Sequence, residues 1–194
     1  MPERMTLCNM AAELGAQTAL VAPDATTREF LVAAGVPDGE IETARWQSDA
    51  GAAAAERHEF DAAALAPMVA APHSPANSGP AAEQRGVRVD QAYIGACTGA
   101  KLADLRMAAE VLKGRRVAAD VRLLVAPAST RTTAAAAADG TLAALTEAGA
   151  ILLPSGCGAC AGYGAGVLAE NEVCIASTAR NFKGRMGSAT AQVY

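Results

Sequence analysis

The stretch VRVDQAYIGACTGAKLADLRMAAEVLKGRRVAADVRLLVA, residues 87–126, decides the fold class. Its first part, residues 87–94, reads as a strand. Residues 101–113 then carry Leu102, Leu105, Ala109 and Leu112 on one side of a helix, and Gly114 supplies the stop. VRLLVA at 121–126 is a run of strand length, apolar but for Arg122. A strand, a helix and a second, mostly apolar strand make a crossover unit. Its two strands run parallel and are buried on both faces. The expected fold is therefore α/β, with layered α/β/α packing around mainly parallel sheets.

The same alternation extends both ways. Downstream, residues 130–148 predict a helix broken near Asp139-Gly140. Residues 150–153 predict a strand, 166–169 a helical turn, and 173–176 another short strand. Upstream, residues 4–15 have helical spacing and end at Gly15, and residues 18–22 form an apolar run closed by Pro23-Asp24. Residues 26–34 restart a helix with Thr26 as cap and Glu29 three residues on, and the Ala-rich residues 45–59 predict a further helix. Between the halves lies HSPANSGPAAEQRG, residues 73–86, whose Pro, Gly, Ser and Asn content reads as a linker. The expected organisation is the end of one α/β subdomain at 1–72, the linker, and a second α/β subdomain at 87–194.

Composition sets the outer limits. The chain has 194 residues, 52% hydrophobic and 19% charged, so it has enough apolar mass for a core. About a quarter of the residues are Ala and only 4% are aromatic, so much of that mass is small side chains. The net charge of −4 argues against a general nucleic-acid surface. Five Cys, an odd number, do not read as a secreted disulfide framework, and no signal-like apolar segment follows a basic start. Residues 148–169 carry no charge, yet their Gly and Pro content makes a poor helix, so they read as strand, loop and turn rather than a membrane span. A cytoplasmic location is expected.

The chemistry-bearing residues follow strands. Cys97 comes after the first strand of the 87–126 unit, Cys157 and Cys160 after the 150–153 strand, and Arg180 after the 173–176 strand. In a parallel sheet these positions gather at one edge, where ligands bind. Gly95, Gly99, Gly156 and Gly158 flank the thiols and leave room for a bulky group. A single C-x-x-C is compatible with buried structural thiols, with a redox pair, or with a metal site. The glycines around it suit a loop better than the helix start of a redox pair. Zinc wants a fourth Cys or His, and Cys8, Cys174, His58 and His73 stand in no paired spacing. Three thiols without a fourth suit a metal centre with one open position.

Four blocks in order, MTLCNMAAELGA (5–16), YIGACTGAKLADLR (93–106), CGAC (157–160) and STARNFKGRMG (177–187), resemble the aconitase superfamily, in particular its 3-isopropylmalate dehydratase and homoaconitase branch. The resemblance implies that Cys97, Cys157 and Cys160 hold a 4Fe–4S cluster. It implies that Asn9 and Glu13 are active-site residues, with Glu13 serving the departing water, and that Arg180 and Arg185 bind substrate carboxylates. The implied activity is that of a hydro-lyase on a small di- or tricarboxylic 2-hydroxy acid, with isopropylmalate of leucine biosynthesis as first choice. Homoaconitate, dimethylmalate, maleate and citraconate are alternatives. A non-catalytic iron–sulfur or iron-sensing module and an inactive fragment are readings of another class. A small swivel-domain subunit is the implied partner, with no membrane and no nucleic acid.

The chain departs from the family pattern in places. Gly95-Ala96-Cys97-Thr98-Gly99-Ala100 stands where the family commonly reads Gly-Ser-Cys-Thr-Asn-Gly, and Ala179 stands where an Asn commonly precedes Arg180. These changes bear on substrate identity more than on cluster binding. Family large subunits are about twice as long, so the resemblance also implies a partial chain that is inactive alone.

Overall fold

A computed structural model describes all 194 residues. The chain divides into two compact units, Met1–Leu65 and Ala66–Tyr194.

The first unit holds helix α1, Pro2–Met10, which tightens into a 3-10 turn at Ala11–Leu14 and stops at Gly15 with φ 80°. Helix α2 spans Ala25–Ala33. Its cap is Asp24, two residues before the expected Thr26. The Asp24 carboxylate accepts from the Thr27 amide at 3.1 Å. It is held in place by two 2.7 Å bonds from the Arg4 guanidinium. Residues 18–22 do not form a strand, and Leu20 is 90% exposed, because the unit offers this segment no neighbouring strand. The helix expected at 45–59 is reduced to a 3-10 turn at Thr43–Trp46. Helices of this length depend on packing an apolar face. Ala11 is the unit's only buried hydrophobic residue, so an Ala-rich run finds nothing to pack against.

The second unit carries the sheet. The expected linker region contributes structure of its own. Strand β1, Met68–Ala70, pairs antiparallel with β2, Ser78–Pro80, and a 3-10 turn follows at Ala81–Gln84. The main sheet contains β3 (Gln91–Gly95), β4 (Arg122–Ala126), β5 (Ile151–Leu152), β6 (Val173–Ala176) and β7 (Gln192–Val193). Its order is β5-β4-β3-β6-β7, and every pairing is parallel. The short helix α3, Ala96–Gly99, follows β3 directly. Helix α4, Leu102–Leu112, then leads to β4, and helices α5, Thr130–Ala138, and α6, Thr141–Glu147, lead to β5. The break between α5 and α6 falls where the sequence placed it. Gly140 sits at φ 83°, and the Asp139 side chain accepts from the Thr141 amide at 3.0 Å.

Alternation along the strands divides the core. Leu123 and Val125 of β4 join Leu105, Ala109, Ala136, Leu142 and Leu145 of α4, α5 and α6 on one face. Leu124 and Ala126 face the other way, with Tyr93, Cys174, Leu168 and Met186. One face is thus layered with helices, while largely irregular chain from 153–172 and 186–191 covers the other. The helical turn expected at 166–169 is absent. Leu168 instead donates its amide to Met186 O at 2.9 Å, and its carbonyl accepts from Ser188 N at 3.0 Å, while its side chain is buried. No helix is long and apolar enough to cross a membrane.

Candidate functional site

The strand order places a reversal at β3. The chain steps outward through β4 and β5, then returns to add β6 on the opposite side. In open parallel sheets ligands bind outside the strand ends at such a reversal. Here the C-terminal ends of β3 and β6 meet, and the segments following them carry Cys97 and Arg180. The segment after β5 carries Cys157 and, in a 3-10 turn at Gly158–Ala161, Cys160.

The loops after β3 and β6 are pressed together. The Ser177 amide extends the ladder by donating to Tyr93 O at 3.0 Å. The Ser177 hydroxyl accepts from Gly95 N at 3.0 Å and donates to Gly99 O at 2.9 Å. Gly99 must lack a side chain, since a Cβ there would stand 2.0 Å from Ser177 O. Ala96, just before Cys97, takes φ 65°, a left-handed conformation that L-residues avoid. On the other face of the sheet Tyr93, 1% exposed, donates its hydroxyl to Cys157 O at 3.4 Å. Its phenol is pushed up to about 12, chiefly by burial, with the Cys160 thiol adding to the effect.

Cys97 and Cys157 are exposed and Cys160 is half-buried. The Cys160 thiol is pushed up, first by burial. The Arg185 guanidinium pulls the other way, and the charges of Cys157 and Cys97 push up again. Cys160 is therefore within electrostatic reach of the other two thiols. The three do not stand at ligation spacing, because no three His, Cys, Asp or Glu side chains come close enough to hold a metal ion. Metal binding normally supplies that last ordering. The surroundings suit such a group. A cavity of about 250 Å³ lies beside Cys157, lined by Gly156, Gly158, Ala126, Leu153 and Tyr163. A Cβ on Gly156 would meet nothing within 4 Å. Three soft sulfur donors select iron–sulfur clusters or zinc over hard cations.

The remaining expected residues sit as follows. Arg180 is half-buried in the turn after β6, where Thr178 Oγ1 donates to Arg180 O at 3.3 Å. Arg185 Nε is buried without a hydrogen-bond partner. Asn9 lies exposed near the end of α1, and Glu13 lies half-buried on the following 3-10 turn, each with a polar interaction of its own. The tightening of α1 means that these two do not share one continuous α-helix. Cys174 is fully buried in β6, and burial pushes its thiol up to about 12.

Three residues carry roles that the motifs did not assign. Ser177 heads the STARNFKGRMG block without a ligand's chemistry. Asn181, buried, donates to Ala70 O, Ala71 O and Val193 O at 3.1, 2.9 and 3.1 Å, tying the block down. Tyr93 left one sequence signal, a Gly two residues on at the same strand face. The Tyr93 ring fills that space, since a Cβ on Gly95 would stand 1.9 Å from it.

The whole chain, residues 1–194, matches the aconitase family (aconitate hydratase). The chain belongs to the aconitase family. It is 47% identical over 193 residues to the homoaconitase large subunit of Thermus thermophilus, covering 99% of this chain and 44% of that one. It is 44% identical over 191 residues to the 3-isopropylmalate dehydratase large subunit of Nitratidesulfovibrio vulgaris, covering 98% and 44%. To the 3-isopropylmalate dehydratase large subunit 1 of Methanopyrus kandleri it is 45% identical over 196 residues, covering 99% and 45%. The chain thus spans a little under half the length of these relatives. Membership accounts for the helix-backed parallel sheet.

Proposed function

We propose that this chain is the cluster-bearing portion of an iron–sulfur hydro-lyase that dehydrates and rehydrates a 2-hydroxy dicarboxylate. The substrate is of the 3-isopropylmalate type, with homoaconitate as the neighbouring choice within the same chemistry. The observation that carries the reading is that Cys97, Cys157 and Cys160 follow the C-terminal ends of β3 and β5 in one parallel sheet whose strand order reverses at β3. Cys97, Cys157 and Cys160 would hold a 4Fe–4S cluster. Such a cluster, with one iron lacking a protein thiolate, supplies a Lewis acid for the substrate hydroxyl.

The chain's own residues do the rest. Arg180 and Arg185 supply guanidinium forks for substrate carboxylates, a planar match that Lys cannot make. The Arg185 charge acts on Cys160 toward the thiolate that a metal requires, against the larger effect of burial. Tyr93 anchors the Cys157 backbone from beneath. Asn9 and Glu13 belong to the reading through their match to the family's CNM block. The relatives' designation as large subunits supports a small partner chain that completes the active site. Five free thiols suit a reducing cytoplasm.

Anaerobic reconstitution with iron and sulfide tests the reading. The purified chain is expected to gain visible absorbance. Cys97→Ser, Cys157→Ser or Cys160→Ser each removes it, and Cys174→Ser does not. Equal behaviour of Cys157→Ser and Cys174→Ser would overturn the assignment of ligands.

A further inference from the structure

The Ser177 hydroxyl holds both ends of the segment whose centre is Cys97. It accepts from the Gly95 amide at 3.0 Å and donates to the Gly99 carbonyl at 2.9 Å. Its own backbone is fixed, since the Ser177 amide donates to Tyr93 O at 3.0 Å as the last rung between β3 and β6. Beyond that rung the side chain takes over from the main chain. The Gly95 amide would otherwise continue the ladder, and it finds the hydroxyl instead. The Gly99 carbonyl is orphaned by the short helix α3, and the same oxygen atom supplies its donor.

One side chain thus closes Gly95–Gly99 into a loop of fixed span. The loop is forced to pass through Ala96 at φ 65°, which turns the chain sharply before Cys97. A left-handed alanine costs roughly 1–2 kcal/mol relative to an ordinary conformation. Such strain persists only where the surroundings over-determine it. Gly99 shows how tight the closure is, for its Cα faces Ser177 O with no room for a methyl group.

We propose that Ser177 is a positioning residue that presents the Cys97 thiol at the strand-order reversal before any metal arrives. The proposal rests on the reading of Cys97 as a cluster ligand, and it assigns to Ser177 no contact with substrate or iron. Without the hydroxyl, Gly95 and Gly99 each lose a partner, and the Cys97 segment is free to relax toward solvent. Threonine at 177 keeps a hydroxyl on the same carbon and is the conservative rescue.

The test uses the intact chain without metal, comparing Ser177→Ala and Ser177→Thr with the parent. Two readouts are taken: hydrogen exchange at the Gly95 amide, and native-state alkylation of Cys97 with Cys157 as internal reference. Ser177→Ala should speed exchange at Gly95 by about fivefold or more, the equilibrium worth of one lost intramolecular hydrogen bond. It should also change the Cys97-to-Cys157 labelling ratio several-fold. Ser177→Thr should return both toward the parent values. On subsequent reconstitution, the electron paramagnetic resonance signal of the reduced cluster should broaden in Ser177→Ala and not in Ser177→Thr. Unchanged exchange at Gly95 together with an unchanged labelling ratio in Ser177→Ala would overturn the proposal. So would a uniform loss of protection across β3 and β4 in both variants, which marks general unfolding. Cys97→Ser with a normal cluster would instead overturn the ligand reading and leave the metal-free results on the loop standing.

Discussion

Substituting Gly99 by Ala asks whether the loops after β3 and β6 are as closely opposed as the structure has them. The new Cβ would lie 2.0 Å from Ser177 O, 2.5 Å from Ser177 Oγ and 2.6 Å from Ser177 C. Real Cβ contacts do not fall below about 3.0 Å, so one backbone must retreat by roughly 1 Å. Gly99 has no left-handed φ, so the effect is contact and not backbone strain. Overpacking of this kind typically costs about 1–3 kcal/mol, and a clash with main chain belongs at the upper end. At about 3 kcal/mol, the melting temperature of a unit this size should fall by about 10 °C. Differential scanning calorimetry would read it, with Gly39→Ala as a control, since that Cβ would meet nothing within 4 Å. The double variant Gly99→Ala/Ser177→Gly should not recover, because the nearest obstacle is the backbone oxygen and not the hydroxyl. A Gly99→Ala melting temperature within about 2 °C of the parent, or full recovery in the double variant, would refute the packing argument.

Cys174 should resist alkylation at pH 8 in the folded chain and react on denaturation, because burial holds its thiol at about 12 against an ordinary 9.0. The sign follows: the folded state keeps a proton that the unfolded state sheds, so this contribution is complete below about pH 9 and is lost as pH rises toward 12. Rapid labelling of native Cys174 at pH 8 would contradict it. Asp139 is held down at about 2 by Thr141 and Arg106, so its contribution is present above about pH 4 and lost as pH falls through 2. Asp139→Asn should flatten the acid limb of a melting-temperature profile over that window, and an unchanged limb would count against it. Ala136→Gly in the middle of α5 should cost about 1–2 kcal/mol through helix propensity and a lost buried methyl, measured by chemical denaturation. Ala96→Gly should cost less than about 0.5 kcal/mol, since glycine accepts φ 65° without penalty. Equal costs at the two sites would remove the claim of a strained Ala96.

The helix-and-strand alternation from residue 91 onward was legible because β3, β4, α4, α5 and α6 each bury residues on one face. β6 falls at Val173–Ala176, and α4 and β4 lie within a residue of the ends read from periodicity. Legibility fails where burial fails. The Ala-rich run at 45–59 has helix propensity and no core to reward it, and residues 18–22 have strand character and no edge to join. The run at 166–169 was misread for the opposite reason. Leu168 is buried, but its backbone partners are Met186 and Ser188, far along the chain.

Sequence alone determined the α/β class, the parallel sheet, and which thiols could serve one edge, because these depend on residue type and on spacing along the chain. The tertiary structure alone decided the strand order that brings the Cys97 and Ser177 loops together. It alone brought the Arg185 charge to bear on Cys160 and set the Tyr93 hydroxyl beneath Cys157. Each of these contacts joins residues between 25 and 82 positions apart. Local periodicity reports the face a residue presents, but not the partner that face will meet. That partner is fixed only when the sheet closes in a particular order.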